Sequence, residues 1–159
     1  MKIQLIHPPA DIQYELCQTA YLTAPPIGLE IIARAIEMEN PEARIEIFDG
    51  NLFSLEEIKQ SIGADIVGFS DWYSKHRNAC EILRTAKERN TACVTVMGGP
   101  NTAYLAGRIL VNHQYIDYVV VGDGEETMKK IAGGAEIPRI PNLYYRKNGT
   151  VTFTFHKKM

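Results

Sequence analysis

The chain has 159 residues, of which 45% are hydrophobic and 23% charged, with a formal net charge of -2 and a sequence pI of about 6.1. That length supports one domain with a single sizeable core, and the near-neutral balance gives no electrostatic footprint for nucleic acid or an anionic membrane surface. No apolar run reaches the roughly 20 residues that span a bilayer, and Met1-Lys2 leads into a strand without a signal-peptide pattern, so a cytoplasmic protein is expected, with Cys17, Cys80 and Cys93 as reduced thiols.

In chain order, Lys2 to Ile6 reads as a strand, and Ile27 to Met38 as a helix whose apolar face is Ile27, Ile31, Ile32, Ala35 and Ile36, with Glu30 and Arg34 as an i,i+4 pair opposite. Arg44 to Phe48 is a second strand, stopped by Asp49-Gly50. Ser54 and Glu57 then form a capping box before a helix with Leu55, Ile58 and Ile62 on its inner face. A third strand at Ile66 to Phe69 precedes a helix from about Ser74 to Arg89, with Ala79, Ile82, Leu83 and Ala86 inward. Cys93 to Met97 and Tyr118 to Val121 are the fourth and fifth strands, followed by helices near 101–112 and 124–132. Five βα units in one domain predict an α/β fold, a doubly wound five-stranded parallel sheet in the flavodoxin-like order 2-1-3-4-5 with helices on both faces. Asn142 to Arg146 and Thr150 to Phe155, separated by Lys147-Asn148-Gly149, predict a carboxyl-terminal β-hairpin turning at Asn-Gly. The division expected is 1–141 as the ligand-binding Rossmann-like domain and 142–159 as the hairpin tail.

About twenty residues separate His7 from the helix at Ile27, whereas βα loops usually need roughly two to six. The segment is stiffened at its ends by Pro8-Pro9 and Pro25-Pro26 and carries Tyr14 and Tyr21, which suits either a flap over a ligand or a surface excursion packed on its own domain. Sheets of this type bind ligands at the carboxyl ends of their strands, so the residues following each strand carry the functional signal.

Those residues bring out a resemblance. The ordered segments IHPP, APPIGLEIIARAI, IEIFDGN, ADIVGFS, TVMGGPNTA, YVVVGDGEETM and NLYYRKNGTV, spanning Met1 to about Phe155, are similar to the amino-terminal cobalamin-binding domain of cobalamin-dependent radical S-adenosylmethionine enzymes. Its specificity lies in four motifs in register: Pro-Pro-x-Gly-Leu, Val-Gly-x-Ser, Gly-Gly-Pro and Gly-x-Gly-Glu. The resemblance implies cobalamin as cofactor, with its ring on the carboxyl edge of the sheet and its nucleotide tail in a slot beside the central strands. The cofactor contacts it implies are Pro8, Pro9, Ser70, Trp72, Gly98, Gly99, Pro100, Asn101, Gly122, Gly124 and Glu125. Gly98 and Gly99 suit either that slot or a tight strand-to-helix turn, Ser70 either a hydrogen bond to the tail or a helix cap, and Trp72 either stacking or packing.

The chain departs from the mutase and methionine synthase pattern, in which D-x-H-x-x-G supplies a histidine to cobalt. Aligned on Gly28, the window is Thr23-Ala24-Pro25-Pro26-Ile27-Gly28, and proline cannot coordinate a metal. Base-off binding without a protein histidine is therefore the expectation, with His7 as a loop anchor. His76, His113 and His156 have no companion at metal-ligand spacing, so no metal site is expected, and no Ser-His-Asp or Cys-His arrangement follows from the residue order. Gly122-Asp123-Gly124-Glu125-Glu126-Thr127 places carboxylates where a pyrophosphate needs helix amides, which argues against a dinucleotide site. A phosphoacceptor receiver lacks its acidic pair, strand-three aspartate and lysine here, and a flavin site lacks a phosphate-cradling Ser/Thr/Gly cluster after the first strand.

Cys17, Cys80 and Cys93 cannot form the C-x-x-x-C-x-x-C motif that holds the family's iron-sulfur cluster. The cluster and S-adenosylmethionine are thus expected only in a missing radical catalytic domain, supplied in cis or in trans, and the chain is not expected to be catalytic alone. The reading is an excised or stand-alone binding module of an enzyme, most plausibly a methyltransferase. The alternative is a cofactor-free adaptor of the same fold acting in protein-protein docking. Self-association through an exposed cofactor edge is a further expectation.

Overall fold

The computed structural model describes residues 1–11 and 24–154; Tyr14, Cys17, Tyr21, Thr23 and His156 lie outside the described residues. The strands β1 (Lys2–His7), β2 (Arg44–Asp49), β3 (Ile66–Ser70), β4 (Val94–Gly98), β5 (Tyr118–Val120), β6 (Leu143–Lys147) and β7 (Thr150–Phe153) form one sheet in the order β2-β1-β3-β4-β5-β6-β7. The first five are parallel in the expected order 2-1-3-4-5. The expectation of a five-stranded sheet with an appended hairpin is corrected: β6 pairs antiparallel with β5, through Tyr118 opposite Tyr145 and Val120 opposite Leu143, and β7 pairs with β6. The physical reason is the short β5, whose outer edge would leave unpaired backbone groups; the hairpin covers it and buries Leu143 completely. Arg146 fastens the hairpin by donating from its guanidinium to the carbonyl oxygens of Leu110, Gln114 and Ile116.

Helices α1 (Ile27–Glu39) and α5 (Glu125–Ala132) cover one face of the sheet, and α2 (Leu55–Ser61), α3 (His76–Arg89) and α4 (Thr102–Asn112) the other. A short 3-10 turn, Tyr73–Lys75, opens α3. The first face packs Ile3, Leu5, Ile66 and Val96 against Leu29, Ala33, Ile36 and Met128; the second packs Ile6, Val67, Phe69 and Met97 against Ile58, Ile82, Leu83 and Leu110. Strands apolar on both faces are what a helix-covered parallel sheet demands. Gln4, in the middle of β1, is fully buried and satisfied: its Nε2 donates to Glu46 and to the Ser61 carbonyl, and its Oε1 accepts from the Gly63 N–H.

The capping box at Ser54 is present, with reciprocal bonds between Ser54 and Glu57. The inner face expected for α1 is corrected. Leu29, Ala33 and Ile36 are buried, while Ile27 and Ile31 are 60% and 50% exposed, and Arg34 pairs with Glu37 instead of Glu30. The helix turns its Leu29 stripe to the sheet and leaves Ile27 beside the strand ends.

Candidate functional site at the carboxyl edge of the sheet

The ends of β1, β3, β4 and β5 and the amino ends of α1 and α5 enclose a cavity of about 210 Å³. Six glycines line it: Gly68 within β3, Gly98 and Gly99 at the end of β4, Gly28 in the first turn of α1, and Gly122 and Gly124 between β5 and α5. Leu5, Leu29, Ile32, Val96, Val120 and Met128 supply apolar lining, and Ser70, Asp123 and Glu125 supply polar groups. A second cavity of about 400 Å³ shares Gly28, Leu29 and Ser70 and is bounded further by His7, Pro25, Pro26, Ile27, Trp72 and Lys75.

The glycines do different things. A Cβ on Gly28 or Gly122 would meet nothing within 4 Å, and one on Gly98 would come no closer than 3.7 Å, to the Val120 Cβ. At these positions the missing side chain leaves open volume, and at Gly122 a φ of +82° favours glycine as well. Gly99 has φ of +105°, and a Cβ there would lie 2.5 Å from the Asp71 nitrogen and 2.7 Å from its carbonyl oxygen. Gly99 is therefore required by the turn. Buried Thr102 locks that turn, since its hydroxyl lies 2.7 Å from the Gly99 carbonyl and 2.8 Å from that of Val120.

His7, buried at the end of β1, has its Nε2 2.6 Å from the Nζ of buried Lys75. Burial and the adjacent ammonium push the imidazole down to about 4, so the neutral ring accepts from Lys75. Burial lowers Lys75 to about 8, against the opposing pull of the Asp49 carboxylate. The His7 nitrogen is engaged within the protein, consistent with an anchoring role.

Asp71, fully buried just after β3, is the hub of the opposite face. Its carboxylate accepts from Asn101 Nδ2 at 2.9 Å and contacts His76 Nδ1 at 2.9 and 3.0 Å, and that hydrogen bond raises His76 to about 10. His76 Nε2 lies 3.6 Å from Cys80 Sγ, and the His113 ring centroid is 5.9 Å from that of His76. Two of the three histidines expected to have no companion, His76 and His113, thus come together, and an Asp-His-Cys series that residue order did not reveal is assembled. The His76–Cys80 spacing of i,i+4 on one helix is the signal that would have found it.

Among the expected contact residues, Ser70, Gly98, Gly99, Gly122, Gly124 and Glu125 line the first cavity, and Ser70 and Trp72 the second. Pro8, Pro9, Pro100 and Asn101 line neither. Pro8 and Pro9 pack against Gly50, where a Cβ would lie 2.5 and 2.2 Å from their backbone atoms, and the Pro9 carbonyl accepts from Asn78. Pro100 is exposed, and Asn101 is committed to Asp71. Sequence reasoning missed Gly68, whose signal is a glycine inside a buried strand, and Lys75, which carries no local signal because its burial depends on the turn that brings it to His7.

No helix among the described residues is long and apolar enough to cross a membrane. The family model of the B12 binding domain matches residues 16–132. An uncharacterized methyltransferase of Pyrococcus horikoshii is 30% identical over 95% of this chain, which covers 34% of that protein; the hopanoid C-3 methylase of Methylococcus capsulatus is 24% identical over 90% of this chain and 29% of its own length. The chain spans about a third of the curated relatives it matches. Among solved structures, the radical S-adenosylmethionine methyltransferase TsrM from Kitasatospora setae, with cobalamin and a [4Fe-4S] cluster bound, superimposes with a TM-score of 0.72 at 17% identity, over 97% of this chain and 30% of that one. With a glycine-lined cavity at the carboxyl edge of a 2-1-3-4-5 sheet and a family match across most of its length, the chain belongs to the B12-binding domain family.

Proposed function

We propose that this chain is the cobalamin-binding module of a cobalamin-dependent radical S-adenosylmethionine methyltransferase and holds the cofactor base-off, without a histidine ligand. The observation that carries the reading is the first cavity, where Gly28, Gly98 and Gly122 leave open volume that ordinary side chains would fill. A narrow apolar slot with a few polar groups suits an aromatic base on a polar tail, and the broader cavity beside Trp72, Pro25 and Pro26 suits the edge of a corrin ring. The two share residues and together reach the range of about 300–1,000 Å³ usual for small-molecule sites. Bound there, cobalamin would supply the methyl-carrying cobalt. Within this chain, Gly98 and Gly68 admit the tail, Ser70 and Glu125 offer it polar contacts, and Trp72 borders the ring.

Base-off binding without a histidine is supported by Pro25, which occupies the aligned ligand position and lines the second cavity, and by the engagement of His7 Nε2 with Lys75. The iron-sulfur cluster and S-adenosylmethionine belong in this reading to a separate catalytic domain. Residues 1–141 carry the cofactor contacts, and the hairpin that follows, β6 and β7, closes the edge of the sheet on the way toward that domain. Ile27, Leu52, Phe53, Trp72 and Tyr73, all near the carboxyl edge, are between 41% and 79% exposed, and such an apolar rim suits a covering partner. An open slot also favours cofactor binding over the adaptor reading, since nothing in an adaptor keeps it empty.

The test is the visible spectrum of the purified chain after incubation with hydroxocobalamin and desalting. Retained corrin absorption at one equivalent is expected. A folded protein that emerges colourless, both alone and when mixed with its catalytic domain, contradicts the reading.

A further inference from the structure

On the face of the sheet away from the glycine-lined cavity, His76, Cys80 and His113 each offer one ligand atom, and these atoms all lie within 4.8 Å of one another. Cys80 is buried and has no disulfide partner; the two histidines are half-buried. We propose that these three side chains bind a zinc ion, independently of cobalamin, leaving its fourth position to water or to a group from a partner.

Three features of the geometry carry the assignment. First, His76 Nε2 and Cys80 Sγ are 3.6 Å apart, matching the edge of about 3.6 Å that a tetrahedron with Zn–N of about 2.05 Å and Zn–S of about 2.3 Å would have. Second, the other nitrogen of His76 is held by the fully buried Asp71 carboxylate, the arrangement that orients a zinc-binding imidazole and raises its basicity. His113 has a polar neighbour of its own, its Nδ1 lying 2.8 Å from the Tyr115 hydroxyl. Third, one thiolate and two imidazoles form a donor set suited to zinc, and the Cys80 thiolate and Asp71 carboxylate balance its charge. The nearby Arg84 guanidinium is spent on the Tyr115 ring, 5.1 Å from its centroid. Cys80 lines neither carboxyl-edge cavity, so a buried ligand fits it better than a nucleophile.

An ion here would join the first turns of α3 to the residue that closes α4. It would thereby hold Asp71, on whose backbone the Gly99 turn rests, so the site would stiffen one wall of the cofactor cleft without touching the cofactor.

The experiment uses the full chain freed of cobalamin, titrated with Zn²⁺ in competition with a chromophoric chelator and, in parallel, with Co²⁺ as a spectroscopic substitute. One equivalent should bind, and Co²⁺ should give the visible bands of a tetrahedral site together with a thiolate charge-transfer band. Cys80→Ser should abolish the charge-transfer band, and His113→Gln should weaken zinc at least tenfold. Cys93→Ser and Cys17→Ser should change neither. His113→Gln, at a half-buried position after a helix, keeps the test valid if Cys80→Ser does not fold. A folded wild-type chain that binds no zinc, or binding that survives both Cys80→Ser and His113→Gln, overturns the proposal.

Discussion

The backbone of Gly99 lies against that of Asp71, so that a Cβ on Gly99 would sit 2.5 Å from the Asp71 nitrogen, while Gly98 next to it has room for a side chain. Two adjacent glycines therefore answer different substitutions. Gly99→Ala should destabilise the chain by roughly 1–3 kcal/mol, because the positive φ and the backbone clash act together. Gly98→Ala should cost less than about 1 kcal/mol. Urea denaturation of both variants checks this; equal losses would contradict the separation of a turn glycine from a slot glycine.

A second expectation follows from His7. Its folded pKa of about 4 lies below the ordinary 6.5, so the neutral ring is the folded form. Its contribution is complete above about pH 6.5, is lost as the pH falls toward 4, and stays lost below that, amounting to about 3 kcal/mol. Urea midpoints compared between about pH 7 and about pH 4.5 should fall further in wild type than in His7→Gln, whose amide still accepts from Lys75. Parallel pH profiles would show that the ring is not buried neutral.

The hairpin offers a test of the seven-stranded sheet. Arg146 donates to three carbonyl groups at and beyond the end of α4, so Arg146→Ala should cost about 2 kcal/mol and raise amide exchange across β6 and β7 before it affects β1 and β3. Unchanged exchange in the hairpin would refute its role as a fastening.

Ligation is open to electron paramagnetic resonance of the cob(II)alamin-loaded chain, where an axial nitrogen splits the cobalt lines into triplets. No triplets are expected in wild type. Triplets that disappear in His7→Ala would make His7 a cobalt ligand.

The apolar rim predicts behaviour in solution. Ile27, Trp72 and Tyr73 are exposed on one edge, so the isolated chain should self-associate, and Tyr73→Ser combined with Ile27→Ser should reduce it. Sedimentation velocity decides this; a strict wild-type monomer would contradict it.

What was legible in the sequence follows from the range of the forces involved. Alternating βα periodicity and the Ser54 to Glu57 box are local, and the strand order and that cap follow from them. The face of α1 was misread because its isoleucines satisfy helical spacing on more than one stripe, and only the position of Leu29 beneath the sheet selects among them. The joining of β6 to β5 depends on a short strand edge needing cover, which no window of residues reveals. At the site, glycines after strands pointed to Gly98, Gly122 and Gly124, since missing side chains are visible in a sequence. Pro8, Pro9, Pro100 and Asn101 line neither cavity: Pro8 and Pro9 pack on Gly50, Asn101 bonds Asp71, and Pro100 is exposed. The meeting of His76 with His113 was illegible because their separation along the chain is bridged only when α3 and α4 dock on the same face.

Trp72, the chain's single tryptophan, borders the second cavity, and its fluorescence titrated with hydroxocobalamin tests the cofactor assignment most directly. Saturable one-to-one quenching is predicted for wild type, with at least tenfold weaker binding for a folded Gly98→Leu variant, whose side chain fills the slot. Identical titration curves for the two folded proteins, or no saturation in wild type, would contradict the account.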